Sequence, residues 1–197
     1  MSDVLESLRP DLFAGHTVFI TGGGSGINLG VARAYARLGA AIGLCGRSED
    51  RLAEARAVLE ADGARAVATQ PADVRDPEAT AAALEHARSE LGPMHTLVCG
   101  AAGNFLAAAE DLSPNGFRAV VDIDLNGSFH AARAAFEQLR ETGGDIVMIS
   151  AVHAIQPFAG QAHVCAAKAG VEALMRNLAL EWGRHGIRAN AIQPGPI

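Results

Sequence analysis

All but one of the sixteen basic residues in this chain are arginine. The exception, Lys168, stands in the apolar run Val164-Cys165-Ala166-Ala167-Lys168-Ala169-Gly170. A compact ammonium fits where a guanidinium fork does not, so a lone lysine in this setting points to a site that needs a point charge. The plain alternative is a snorkelling surface lysine. The acidic candidates are Asp122 and Asp124, in Asp122-Ile123-Asp124-Leu125-Asn126-Gly127. Two positions on a helix are about 200° apart, so only one of the two faces a cleft. His163 precedes Lys168 by five residues, about 140° round the helix, which takes it off the lysine's face. His153 and His163 both read as ordinary polar residues. The only tyrosine, Tyr35, lies in the first predicted helix and suits packing, so no tyrosine stands beside Lys168.

A second constellation binds rather than reacts. The run Thr21-Gly22-Gly23-Gly24-Ser25-Gly26-Ile27-Asn28 follows an apolar strand and opens a helix. Glycines there let the backbone turn tightly and approach a pyrophosphate, whose charge meets the free N–H groups of the helix start. Asn28 adds bulk near that point. The second strand ends in Gly46-Arg47-Ser48, about where an acid would grip an unmodified adenosine ribose. Arg47 instead offers a planar fork suited to a 2′-phosphate. A solvated arginine, or a ribose held by Asp50, is the alternative.

These residues need a frame, and the chain supplies an alternating one. Strands are predicted at His16–Thr21, Ala41–Cys45, Ala64–Gln70, Thr96–Gly100, Asp145–Ser150 and Arg188–Gln193. Helices are predicted at Ile27–Leu38, Asp50–Asp62, Glu78–Leu91, Pro114–Arg140 and Gln161–Trp182. Apolar strands separated by helices signal a parallel sheet covered on both faces. The expected fold is therefore a single-domain α/β Rossmann-type doubly wound sheet in three α/β/α layers. The chain stops at Pro194-Gly195-Pro196-Ile197, just after a strand, which reads as a missing C-terminal end.

Composition narrows the function. A net charge of −6 with dispersed cations argues against a nucleic-acid or anionic-membrane partner. The start has no basic head followed by an apolar run, and no stretch reaches the ~18 apolar residues of a spanning helix. Cys45, Cys99 and Cys165 are odd in number and unpaired in spacing, as reduced buried thiols of a cytoplasmic protein would be. No metal-ligand spacing is present.

With these motifs in hand, the chain resembles the short-chain dehydrogenase/reductase family from His16 onward. The matching pieces are the glycine loop, Asp73-Val74, Gly100-Ala101-Ala102-Gly103, Lys168 and Pro194-Gly195. The resemblance implies NADP(H) as cofactor, held by Gly22, Gly24, Ser25, Gly26, Ile27, Arg47 and Ser48. It places Asp73 and Val74 at the adenine, and Ala101 and Ala102 along the cofactor. Lys168 would bond the nicotinamide ribose, while Pro194, Gly195 and Ile197 lie near the carboxamide. The family's acid is a tyrosine four residues before the lysine, where Val164 stands; its partner serine is replaced by Ala151, and its helix asparagine by Asp124.

One branch shares these departures. The run Ala101-Ala102-Gly103-Asn104-Phe105-Leu106, the Asp122-Ile123-Asp124 motif and a histidine ahead of the lysine resemble peroxisome-type 2,4-dienoyl-CoA reductases. That likeness implies NADPH-dependent reduction of a dienoyl-CoA thioester to a 3-enoyl-CoA. It assigns Asp124 and Lys168 to the chemistry, Arg75 and Phe105 to the acyl-CoA substrate, and a homo-oligomer, dimer or tetramer, to the assembly. A reductase of another carbonyl or alcohol, or a cofactor-binding sensor, are the alternatives.

Overall fold

The computed structural model describes residues 4–195; Ile197, an expected cofactor contact, lies outside them. Six strands form one sheet: β1 (Thr17–Thr21), β2 (Ala41–Gly46), β3 (Val67–Pro71), β4 (Thr96–Cys99), β5 (Asp145–Ile149) and β6 (Arg188–Ile192). Their order is β3-β2-β1-β4-β5-β6, with every neighbouring pair parallel. The helices are α1 (Gly26–Arg37), α2 (Glu49–Ala61), α3 (Pro77–Leu91), α4 (Pro114–Val121), α5 (Gly127–Thr142) and α6 (Ala162–Trp182). The direction of winding reverses between β1 and β4, so the loops after these two strands part and leave a crevice at their carboxyl ends. This is the Rossmann-type doubly wound arrangement expected from the alternation.

Every residue of β1 is buried, and its side chains alternate between two cores. Phe19 joins Leu97, Ile146 and Met148 on the face covered by α3, α5 and α6. Val18 and Ile20 join Ile42 and Leu44 under α1 and α2. Each large apolar side chain fully removed from water contributes about 1.5–3 kcal/mol. Gly43 on β2 makes room for this packing, because a Cβ there would lie 2.6 Å from the Phe19 ring.

Two boundaries depart from expectation. Strand β3 begins at Val67 because Ala64 donates its N–H to the Leu59 carbonyl and so closes the end of α2. The long helix predicted over Pro114–Arg140 is interrupted by a π-turn at Asp122–Asn126 and runs on to Thr142. Among the described residues, no helix is long and apolar enough to cross a membrane.

At the amino ends of the strands, His95 ties three of them together. Its N–H donates to the Thr17 carbonyl, its Nδ1 accepts from the Thr17 N–H at 3.1 Å, and its carbonyl accepts from the Asp145 N–H. Burial and the neighbouring His16 ring, 4.7 Å away, hold its pKa below the usual imidazole value. Protonation would turn Nδ1 from acceptor to donor and break the bond to Thr17. A depressed folded-state pKa gives stability that is complete above the unfolded value of about 6.5 and is lost as pH falls below it. Thermal melts should therefore show Tm dropping between about pH 7 and pH 5, and His95→Gln should flatten that part of the profile.

Candidate active site

The crevice above β1 and β4 is a cleft of about 710 Å³. Its floor is the glycine loop. Gly22 (φ 68°) and Gly26 (φ 58°) adopt the left-handed conformation that glycine alone takes readily. A Cβ at Gly22 would sit 2.8 Å from the Ala101 Cα, so the loop after β4 can close on it only because that Cβ is missing. Helices α2, α3 and α4 are capped by Ser48, Asp76 and Ser113, whose side chains accept from the first helical N–H groups. At α1 the N-cap Ser25 makes no such bond, which leaves that helix start to receive an anion from the cleft.

The sequence expected Asn28 to crowd this space. Its amide is instead committed to the protein: Nδ2 donates to the Gly22 carbonyl at 3.1 Å and to the Gly100 carbonyl at 2.8 Å. A Cβ at Gly100 would collide with that amide at 2.2 Å. Asn28 is thus a strut between the loops after β1 and β4.

Most residues expected at the cofactor line the cleft. Gly22, Gly24, Ser25, Gly26 and Ile27 form one wall. Arg47 and Ser48 stand at the far end, and Arg51, which sequence reasoning passed over, joins them there from the first turn of α2. Asp73 and Val74 follow, then Ala101 and Ala102, and Pro194 with Gly195 closes the opposite side. Asp73 accepts from the Arg75 N–H and guanidinium, bonds that hold its pKa below the usual carboxylate range. Arg75, expected at substrate, is thereby folded back on Asp73 at the exposed rim and is not among the lining residues. Phe105, the other substrate candidate, also lies off the lining and packs its ring on His163, 4.4 Å between centroids.

The expected chemical pair is brought together. Lys168 Nζ lies 3.1 Å from Asp124 Oδ2 and donates to the Ile149 carbonyl at 2.9 Å. Both residues are buried, at 6% and 1% exposure. An ammonium has three donors, so one remains for the cleft. Asp124 Oδ1 accepts from the Gly103 N–H at 2.8 Å. Burial raises the Asp124 pKa, opposed by Lys168, by the Gly103 bond and by His163. Asp122 points elsewhere and accepts from Asn126.

The positions of a phenol and a serine hydroxyl are apolar. Val164 is buried against Val120 and Ala167, and Ala151 presents a methyl group to the cleft. The adjacent Ser150 donates its hydroxyl to Glu172 at 2.9 Å, so it is no substitute. Glu172 also accepts from Gln193, just before Pro194, and so anchors the end of β6. His153 lines the cleft. His163 overturns its description as an ordinary polar helix residue: it is wholly buried, and neither ring nitrogen has a hydrogen-bond partner. The cover comes from a distant segment: the Phe105 ring, on the loop after β4, packs on His163 at the start of α6.

A glycine-floored, nucleotide-sized cleft at the switch point of a doubly wound sheet defines a dinucleotide-binding α/β protein. The family profile "short chain dehydrogenase" matches residues 16–197, and the chain belongs to that family. Among curated relatives, the peroxisomal 2,4-dienoyl-CoA reductase [(3E)-enoyl-CoA-producing] of Arabidopsis thaliana is 44% identical over 96% of this chain and 66% of its own length. The probable 2,4-dienoyl-CoA reductase [(2E)-enoyl-CoA-producing] of Bacillus subtilis is 40% identical over 91% of this chain and 72% of its own. The chain thus spans about two thirds of the length of the plant relative. Among solved structures, a citronellol catabolism dehydrogenase from Pseudomonas aeruginosa superposes with a TM-score of 0.90 at 36% identity, covering 95% of this chain and 77% of that one.

The strut yields a test of the cleft. Replacing Asn28 with Ala removes two hydrogen bonds and leaves the Gly22 and Gly100 carbonyls short of a donor. Stability should fall by about 1–3 kcal/mol in denaturant melts, and dinucleotide affinity should weaken with it.

Proposed function

We propose that this protein is an NADPH-dependent reductase of 2,4-dienoyl-CoA thioesters that yields the 3-enoyl-CoA. One observation carries the reading: a buried Asp124–Lys168 pair stands in a cofactor cleft whose phenol and hydroxyl positions are Val164 and Ala151. Ketone reduction leaves an alkoxide, which demands a strong acid at oxygen. Hydride addition to the δ-carbon of a dienoyl thioester leaves a dienolate, a weaker base that needs donors at the thioester oxygen and a proton for carbon. When bound, the nicotinamide supplies the hydride.

The residues divide the remaining work. The glycine loop and the uncapped start of α1 receive the pyrophosphate. Arg47, with Arg51 beside it, meets the 2′-phosphate; glycine at 46 leaves no carboxylate there to repel it. The third donor of Lys168 orients the ribose and adds positive charge where the dienolate forms. Asp124, whose burial favours its protonated form, delivers the proton through water. Protonation at the α-carbon gives the 3-enoyl product and at the γ-carbon the 2-enoyl product, the distinction carried by the names of the plant and bacterial relatives. The resemblance of Asp122-Ile123-Asp124 to the peroxisome-type pattern favours the first.

A homo-oligomer belongs to the same reading, through the family likeness. So does the cytoplasmic setting: Cys45 and Cys99 are free, and burial pushes both thiols up to about 12, as suits inert groups in a reducing compartment.

The deciding assay is NADPH oxidation by the full-length protein with a 2,4-dienoyl-CoA as acceptor, and the product identified by NMR. A 3-enoyl product supports the reading; no oxidation despite cofactor binding sinks it. Asp124→Ala should lower kcat by about 10²–10⁴-fold while NADPH affinity stays within a few-fold. Arg47→Ala should raise the KM for NADPH about tenfold or more and leave that for NADH nearly unchanged, since a charge-assisted bond is lost.

A further inference from the structure

The reduction proposed above leaves one requirement without a residue: a hydrogen-bond donor for the thioester oxygen, where negative charge gathers. Val164 and Ala151 stand at the phenol and hydroxyl positions and have nothing to donate. Lys168 commits two of its three donors to Asp124 and the Ile149 carbonyl, and on the same reading its third serves the ribose. The Ser150 hydroxyl is taken by Glu172. The other polar side chains lining this end of the cleft are Asn104, Asp124 and His153. Asn104 is exposed and adjoins Gly103, the residue that donates to Asp124. His153 is the one held in place from another direction.

His153 belongs to the 3-10 turn Val152–Ala154 that follows β5. Helix α6 ties that segment down on both sides. Before the turn, Lys168 donates to the Ile149 carbonyl at 2.9 Å; after it, the Cys165 thiol reaches the Gln156 carbonyl at 3.9 Å. Cys165 and Lys168 are three residues apart and share a face of the helix, so the turn is laid along the face that carries the lysine. Within the turn, the Ala154 N–H donates to the Ala151 carbonyl and the Gln156 N–H to the Val152 carbonyl. The His153 ring stacks on Phe158, 4.5 Å between centroids, and both residues line the cleft. Its Nδ1 is buried and has no hydrogen-bond partner, which leaves Nε2 as the nitrogen within reach of the cleft. A proton on Nδ1 would be a buried donor without an acceptor, so the neutral ring carries its proton on Nε2.

We infer that His153 is the hydrogen-bond donor to the thioester oxygen, a catalytic residue of the proposed reduction. The inference rests on the reductase reading. As hydride forms a C–H bond at the δ-carbon, the electron pairs of the diene shift toward the thioester and the C=O π pair moves onto oxygen. The Nε2–H of His153 bonds that oxygen and keeps its proton throughout. When the α-carbon accepts the proton from Asp124, the C=O bond is restored and one double bond remains between the β- and γ-carbons. A ring already fixed by its stack and its turn needs no reorganisation as the charge develops.

Two variants separate donation from packing. His153→Phe keeps the stack on Phe158 and removes the donor, whereas His153→Gln gives up the stack and returns an amide N–H. The Phe variant should lose about 10²-fold in kcat with NADPH affinity within about twofold, and the Gln variant should recover most of that loss. A role in packing alone predicts the reverse order, and that order would overturn the inference. A second readout needs no turnover. NADP⁺ has no hydride to give, so a 2,4-dienoyl-CoA added to the NADP⁺ complex stays intact, and a hydrogen bond to its carbonyl moves its absorbance band to longer wavelength. Wild type and His153→Gln should show that shift, and His153→Phe should lose it. Equal shifts and equal turnover in wild type and His153→Phe would overturn the inference and leave the reductase reading standing. A dienoyl-CoA that neither binds nor is reduced by the wild type would overturn the reductase reading, and this inference with it.

Discussion

The contact between Lys168 and Asp124 is the constraint around which the site is arranged. Removing two charges from water is expensive, and their mutual attraction repays it only when the remaining donors and acceptors are also satisfied. Here most of them are: the Ile149 carbonyl accepts a second lysine proton, the Gly103 N–H donates to the second aspartate oxygen, and one lysine proton is left for the cleft. Each of these partners comes from a different place, the end of β5 and the loop after β4. The pair therefore pins α6, the π-turn and two strand ends to one point. Breaking either charge would leave the other buried and alone, which typically costs about 3–5 kcal/mol. A cleft organised this way is rigid at its chemical end. At its other end, exposed arginines leave room for a charged ligand to choose its pose.

Replacing a phenol by Val164 changes what the same scaffold can do. A tyrosine at that position would offer an acid to an oxygen atom. With a valine there and a carboxyl group on the opposite helix, the proposed chemistry delivers its proton to carbon instead. Burial raises the pKa of the Asp124 carboxyl, and the neighbouring Lys168 ammonium opposes that shift. On the proposed reading the acid is Asp124 and the positive charge Lys168, two groups set apart by environment rather than by residue type.

Much of this was legible in the residues themselves. The glycine loop, the strand–helix alternation and the solitary Lys168 are local signals, and the elements they predicted lie within a few residues of their places, except that the π-turn divides the long helix in two. The selection of Asp124 over Asp122 followed from a two-residue spacing and a motif. What stayed hidden depends on contacts between distant segments. Asn28 and Gly100 meet only because β1 and β4 are neighbours in space, so the amide's role as a strut has no trace in its own surroundings. His163 is sealed by Phe105, on a loop that precedes α6 by more than one element. Arg75 turns back to Asp73 because the two are close enough to form a fork, a choice that spacing permits but does not dictate.

The π-turn at Asp122–Asn126 has a consequence of its own. A wide turn accommodates one residue more than an α-helical turn, so the helices on either side of it are out of phase by about a quarter of a revolution. Helix α4 can then direct its apolar stripe toward α6, while α5 directs its own toward α3 and the sheet. One uninterrupted rod could not serve both neighbours. The gearing also makes this segment intolerant of length change: deleting a single residue there would restore a regular helix, swing every side chain beyond it around the axis, and uncouple the wall of the cleft from its floor.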